Sequence, residues 1–197
     1  LVGFSVYSTI KRIFSTSNIT ATAQGSSVYQ GGLIGYLNNY SYLSDSYFDG
    51  SIDTKATYVA GIAGCMWGSS NAKRTFFGEN ASIYNSNNNY YVYYNAGLVS
   101  YIGDSSYLSD SFSAGSITNY YGNYGFGVAG YAHPNYYSYY GGYRYLSNNY
   151  WYDKNSAVLN CLFNILRCFP NQCKLKIMDR AGAVHCNVRY NSPFHQV

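Results

Sequence analysis

One eleven-residue phrase occurs twice in this chain. Tyr42-Leu43-Ser44-Asp45-Ser46-Tyr47-Phe48-Asp49-Gly50-Ser51-Ile52 returns 65 residues downstream as Tyr107-Leu108-Ser109-Asp110-Ser111-Phe112-Ser113-Ala114-Gly115-Ser116-Ile117, with no gap and most residues unchanged. Repetition of this kind restricts the fold to architectures built by stacking similar units. A second motif precedes it. It reads Gly32-Leu33-Ile34-Gly35-Tyr36, Gly61-Ile62-Ala63-Gly64-Cys65, Gly97-Leu98-Val99-Ser100-Tyr101 and Gly127-Val128-Ala129-Gly130-Tyr131, the first glycines lying 29, 36 and 30 residues apart. Leu1-Val2-Gly3-Phe4 is the same motif without its first glycine, so the chain reads as a piece of a longer protein. The longer motif is weaker over residues 74–83 and 145–151, and it shrinks to 13–19 in the first unit.

Each motif is too short for a helix and is bounded by Gly, Asn and Ser, so it reads as a strand. A unit of two or three such strands cannot bury its own apolar face, but copies stacked on one another can. The expected fold is therefore all-β: a right-handed parallel β-solenoid of about five repeats over residues 1–152. At one strand spacing per unit it would be roughly 24 Å long. Leu33, Ile62, Leu98 and Val128 should form one internal ladder, and Leu43, Leu108 and Leu146 another. The competing fold is a β-sandwich of hairpins.

Composition changes sharply near Asp153. Up to that residue six Lys/Arg face seven acids, a net −1, whereas from Lys154 onward six basic residues face only Asp179, a net +5. The tail also holds four of the five cysteines and only one Tyr. Residues 153–197 are expected to form a C-terminal cap or to be a foreign segment. Val158, Leu159, Leu162, Leu166 and Phe169 fall at helical spacing and end at Pro170. Lys174–Met178 and Val184–Tyr190 alternate around a turn, so a helix followed by a hairpin is expected. Cys161, Cys168, Cys173 and Cys186 lack the spacing of a zinc site and could pair as two disulfides, with three connectivities open. Cys65 stands where other units carry Tyr and reads as a buried thiol.

The ordered Gly-Leu-Ile-Gly, Gly-Ile-Ala-Gly and Gly-Val-Ala-Gly motifs, followed by Ser-Asp-Ser-Tyr and Gly-Ser-Ile segments, resemble GLUG-motif repeats. The resemblance covers about residues 1–152 and none of the tail. It implies a β-solenoid region of a large secreted or surface-anchored, adhesin-like protein. It carries no catalytic residues to transfer. Ser100 in place of the last glycine and the abundance of Tyr depart from the family pattern.

Few residues suggest chemistry. Asp45 and Asp110 share one repeat position with Asn148. Two units apart they would stand roughly 10 Å from each other, which leaves open a polysaccharide-degrading β-helix enzyme using paired carboxylates. The segment between them, near Thr75-Phe76-Phe77, offers no acid, so a corner residue that bonds its neighbour's backbone is the better reading. His133, His185 and His195 have no metal-ligand spacing, no glycine pair is followed by the Lys-Ser/Thr of a phosphate loop, and no cofactor is expected.

The functional signal is tyrosine: 27 residues, many in clusters, in a chain only 10% charged, against about 25% in ordinary domains. Alternation along a strand turns every second side chain outward. Tyr91, Tyr93, Tyr137, Tyr139, Tyr143 and Tyr145 are thereby expected to form an aromatic ladder facing a glycan or an extracellular protein surface. The bland alternative is a passive spacer whose tyrosines only stabilise neighbouring strands. A nucleic-acid partner is not expected of a repeat region at net −1, and no apolar run reaches the length of a membrane span. Asn18, Asn39 and Asn80 begin glycosylation sequons. The expected role is a non-catalytic extracellular or cell-surface rod, a stalk or an adhesive element, with end-to-end or lateral self-association.

Overall fold

The computed structural model describes residues 1–88, 94–120, 125–132 and 146–151, together with strands Lys176–Asp179 and Gly182–Val184. Over these residues the chain is all-β and winds as a parallel β-solenoid. The first turn holds β1 (Val2–Val6), β2 (Thr9–Lys11), β3 (Phe14–Ser15), β4 (Asn18–Ala21) and β5 (Tyr29–Gly31). The second holds β6 (Ile34–Asn38), β7 (Tyr42–Phe48), β8 (Ser51–Thr54) and β9 (Tyr58–Ala60). The third holds β10 (Ala63–Met66), β11 (Asn71–Phe77), β12 (Ser82–Asn85) and β13 (Tyr94–Ala96). In the fourth are β14 (Val99–Ile102), β15 (Tyr107–Ser109), β16 (Phe112–Ser113), β17 (Ser116–Asn119) and β18 (Gly125–Phe126). A fifth begins with β19 (Ala129–Ala132), β20 (Leu146–Ser147) and β21 (Tyr150–Trp151).

Each turn thus has four sides, not the two or three strands that the motifs suggested. The first side is the sheet β1-β6-β10-β14-β19, the third is β4-β8-β12-β17 and the fourth is β5-β9-β13-β18. The second side, led by β7 and β11, continues past β21 into β22 (Lys176–Asp179) and β23 (Gly182–Val184). Four turns are complete, and the fifth is described over its first two sides. The fourth side escaped the sequence reading because its strands are only two or three residues long and carry no legible period.

The expected ladders form. Leu33, Ile62, Leu98 and Val128 are buried, and each amide of the first three donates to the carbonyl of the next. On the second side the register is Ile10–Leu43–Ala72–Leu108–Leu146, so alanine fills the rung between two leucines. Complete burial of one Leu is worth about 1.5–3 kcal/mol. A third column, Ile19–Ile52–Ile83–Ile117, lines the third side.

The leading glycine of the shorter motif is fixed by close approach. A Cβ on Gly32 would stand 2.5 Å from the Phe48 ring of its own turn and press on the Gly61 carbonyl of the next. Gly61 meets Phe77 and the Gly97 carbonyl in the same way. The motif therefore brings backbone against an inward aromatic ring, which a side chain would prevent.

Two of the bends in a turn use a residue with positive φ. The first corner is Tyr7, Tyr40, Ser69 and Ser105, with φ of 49°, 56°, 59° and 59°. The second, within the second side, is Arg12, Asp45, Arg74, Asp110 and Asn148, with φ between 51° and 55°. A left-handed residue resets the alternation, so the inward side chains run Leu43, Ser46, Phe48 rather than every second residue.

After each corner comes an inward hydroxyl or amide that satisfies the backbone one turn away. Ser41 Oγ accepts from the Ser8 amide (3.3 Å), Ser70 Oγ from the Ser41 amide (3.3 Å) and Ser106 Oγ from the Ser70 amide (3.1 Å). At the second corner Ser46 Oγ accepts from the Ile13 amide (3.2 Å), Ser111 Oγ from the Thr75 amide (3.0 Å) and Asn149 Oδ1 from the Ser111 amide (3.0 Å). Buried backbone donors that the corner would otherwise strand are paired in this way.

The tail contributes a hairpin. β22 adds to β21 in parallel, and β23 returns antiparallel with Asp179 opposite Gly182. The helix expected over residues 158–169 lies outside the described residues.

Candidate functional site

The second corner carries the two carboxylates singled out from the sequence. Asp45 and Asp110 do occupy equivalent rungs, and Asn148 continues the column. The residue between them is Arg74, not the segment around Thr75-Phe76-Phe77. Matching back from Ile83 without a gap puts Phe76 on the Asp45 rung. The third turn, however, has four residues between Phe77 and Ser82 where the second has two between Phe48 and Ser51, and the pairing of Lys73 with Ser44 and Thr75 with Ser46 leaves Arg74 opposite Asp45. The column accordingly reads Arg12, Asp45, Arg74, Asp110, Asn148.

This stack alternates in charge. Arg74 grips Asp45 with both arms of its guanidinium, Nε to Oδ1 at 2.5 Å and Nη2 to Oδ2 at 2.8 Å. Lys73 Nζ lies 3.5 Å from Asp110 Oδ2, and Asn148 Nδ2 donates to Asp110 Oδ1 at 2.9 Å. The hydrogen bond from Arg74 holds the Asp45 carboxyl down at about 2, and the bond from Asn148, aided by Lys73, lowers Asp110. Both acids are therefore held ionised and occupied by neighbouring turns. The corner reading holds, with one correction: the aspartates bond their neighbours' side chains, and the neighbouring backbone is served by the following Ser or Asn.

Two aromatic arrays run along the coil. On the outer face of the second side Phe14, Tyr47, Phe76 and Phe112 stack in register, with ring centroids 5.6, 6.2 and 5.4 Å apart and interplanar angles of 9°, 37° and 6°. The inner rings turn their faces toward each other and their rims to solvent. Beside them lies an open groove of about 460 Å³, lined by Tyr47, Phe76 and Phe112 with Asp49, Glu79 and Asn80. The longer connection of the third turn supplies Glu79 and Asn80. Asn80 donates to Asp49 through its amide (3.0 Å) and its side chain (3.1 Å).

The second array joins the fourth side to the first. Tyr29, Tyr58 and Tyr94 stack at 4.7 and 5.3 Å. They meet a column of Tyr36, Cys65, Tyr101 and Tyr131 through the pairs Tyr29–Tyr36, Tyr58–Tyr101 and Tyr94–Tyr131 at 5.2, 5.6 and 5.4 Å. Cys65 is a buried free thiol, as expected, and burial pushes it up to about 12. Burial also raises the phenols of Tyr29, Tyr36, Tyr58 and Tyr101. The thiol is thus neutral and packs as a small apolar group between larger rings.

The six tyrosines named from the sequence, Tyr91, Tyr93, Tyr137, Tyr139, Tyr143 and Tyr145, lie outside the described residues. So do Cys161, Cys168, Cys173 and Cys186 and the three histidines. Of the sequon asparagines, Asn18 and Asn80 are exposed and Asn39 is half-buried with φ of 44°. The outer ladder on the second side went unread, although a signal existed: an aromatic follows two residues after every second-corner residue, from Arg12–Phe14 to Asn148–Tyr150. Among the described residues no group of three His, Cys, Asp or Glu side chains converges, and no helix is long and apolar enough to cross a membrane. No protein-family model, curated protein or solved structure matches the chain.

Proposed function

We propose that the chain is a non-catalytic extracellular or cell-surface rod of GLUG-like repeats that presents an adhesive face to a glycan or to an extracellular protein. The observation that carries this reading is the outer ladder of Phe14, Tyr47, Phe76 and Phe112, set on successive turns beside an open groove edged by Asp49, Glu79 and Asn80. The ring rims recur from turn to turn and offer apolar contact, and the Asp49–Asn80 pair beside them adds polar groups at one place. Weak contacts held at fixed spacing act together against a repetitive partner, raising avidity without a strong single site. The glycine motif wound into a parallel coil supports the family resemblance.

A polysaccharide-degrading enzyme built on Asp45 and Asp110 is the weaker reading, because Arg74 lies between them and both acids are committed to neighbours. A general acid needs a raised pKa, and these are lowered. The plain spacer remains the competitor, since stacked rings also hold turns together. Replacing Tyr47 and Phe76 by Ser and measuring both binding to immobilised glycan and matrix panels and thermal stability separates the two. Lost binding with the melting transition retained supports adhesion. Binding that is absent in the parent chain, with stability lost in the variant, rejects adhesion and leaves the spacer. Polysaccharide hydrolysis abolished by Asp45→Ala or Asp110→Ala in a folded chain would overturn the non-catalytic reading.

A further inference from the structure

The first corner holds an anomaly. Turns three and four place Ser69 and Ser105 there, whereas turns one and two place Tyr7 and Tyr40. A bulky residue at positive φ is a genuine outlier, and serine makes the same bend. Packing does not account for the choice, because Tyr7 is 72% and Tyr40 70% exposed. An observed outlier without a packing reason is the proper starting point for a functional hypothesis. What the two residues have in common is each other. Their rings stack with centroids 6.1 Å apart and planes 16° from parallel, in solvent, on adjacent turns.

We propose that Tyr7 and Tyr40 form an oxidative modification site, at which a haem peroxidase with hydrogen peroxide, or a similar one-electron oxidant, joins them as an intramolecular dityrosine. Each phenol gives up one electron and its hydroxyl proton. The two phenoxyl radicals then combine through a new bond between one Cε of each ring. The hydrogen on each joined Cε moves to its phenol oxygen and restores the aromatic rings. The pair has lost two electrons and two protons, which reduce one peroxide to two waters. Exposed side chains sample rotamers fast enough to bring the two ring edges together. The other stacked tyrosines are less suited, because they are half-buried, and burial opposes the loss of the phenol protons of Tyr29, Tyr58 and Tyr101.

The location gives the bond a purpose. Strands β1 to β5 of the first turn pair in parallel with strands of the second turn on all four sides, through backbone hydrogen bonds. A covalent link from Tyr7 to Tyr40 staples the first turn to the next. The inference does not depend on what the rod binds.

The test treats the full chain with horseradish-type peroxidase and hydrogen peroxide, then maps linked peptides by mass spectrometry. The expected result is a peptide pair joined through Tyr7 and Tyr40, lighter by two hydrogens and carrying dityrosine fluorescence, in the monomer. Tyr7→Phe and Tyr40→Phe keep the stacked rings and the melting transition, yet each abolishes that peptide pair. In guanidinium-unfolded chain the pair should lose its preference over other tyrosines. Links that form equally among the half-buried ladder tyrosines, that join Tyr7 or Tyr40 only between chains, or that persist in either Phe variant would overturn the proposal.

Discussion

Phe76 and Phe77 are neighbours on β11, and each stacks on an aromatic of the turn before it, yet they belong to opposite worlds. Phe77 lies inside, fully buried, its ring parallel to that of Phe48 at 6.4 Å. Phe76 lies outside, packed against Tyr47 and Phe112 and bordering the open groove. Residue type is the same, and the spacing to the ring of the preceding turn is nearly so, 6.2 Å for Phe76 and 6.4 Å for Phe77. What separates them is the left-handed residue at Arg74, which fixes which of two adjacent side chains points inward. In this coil the inner columns hold turns together, and the outer columns are free to differ from turn to turn.

The comparison is broken most severely from the inside. Phe77→Ala removes a fully buried ring packed on Phe48 and against Gly61 and Gly115 and should cost about 3–5 kcal/mol, measured by chemical denaturation. Next comes the hydroxyl column. Ser111→Ala strips the buried Thr75 amide of its acceptor and should cost about 1–3 kcal/mol, with faster hydrogen exchange at that amide. Phe76→Ala, one residue from the first site, should cost only roughly 1–2 kcal/mol, the worth of its two stacking partners. A loss equal to that of Phe77→Ala would erase the distinction between the faces.

The smallest effect is electrostatic. Asp45 titrates at about 2 against an ordinary 3.8, so its pairing with Arg74 favours the folded chain above about pH 4 and is lost as pH falls through 2. Both groups are exposed, and the melting transition should barely move across that window. An NMR titration should place the Asp45 midpoint near 2, and Arg74→Ala should return it toward the ordinary carboxylate range. Asp110 should shift less in that variant, because Asn148 is its first support.

The inner columns were the legible part of the sequence. Leu33, Ile62, Leu98 and Val128 could be aligned because each follows a glycine that close packing demands. Asp45 and Asp110 could be recognised as corner residues because their flanking Ser-Asp-Ser recurs. Arg74 was missed for a physical reason: the longer connection after Phe77 shifts the third turn by two residues, and only the hydrogen-bond register reveals the offset. The fourth side was illegible because two-residue and three-residue strands leave no period. The outer ladder was hidden by alternation with Ser, Thr and Phe of the inner face, while the conspicuous tyrosine clusters drew attention to segments outside the described residues.

In-register stacking that sets Arg74 on the Asp45 rung is the claim on which the ladders, the groove and the neutralised carboxylates all depend. Paired cysteines test it directly. Parallel neighbours on one rung have Cα atoms about 4.8 Å apart, inside the range of about 4.4–6.8 Å that a disulfide tolerates. Two residues of offset raise the separation to about 8 Å, beyond that range. The double variant Asp45→Cys with Arg74→Cys should oxidise to an intramolecular disulfide, identified by mass spectrometry of the linked peptides, whereas Asp45→Cys with Phe76→Cys should stay reduced under the same conditions. A disulfide in the second variant and none in the first would contradict the register and, with it, the account.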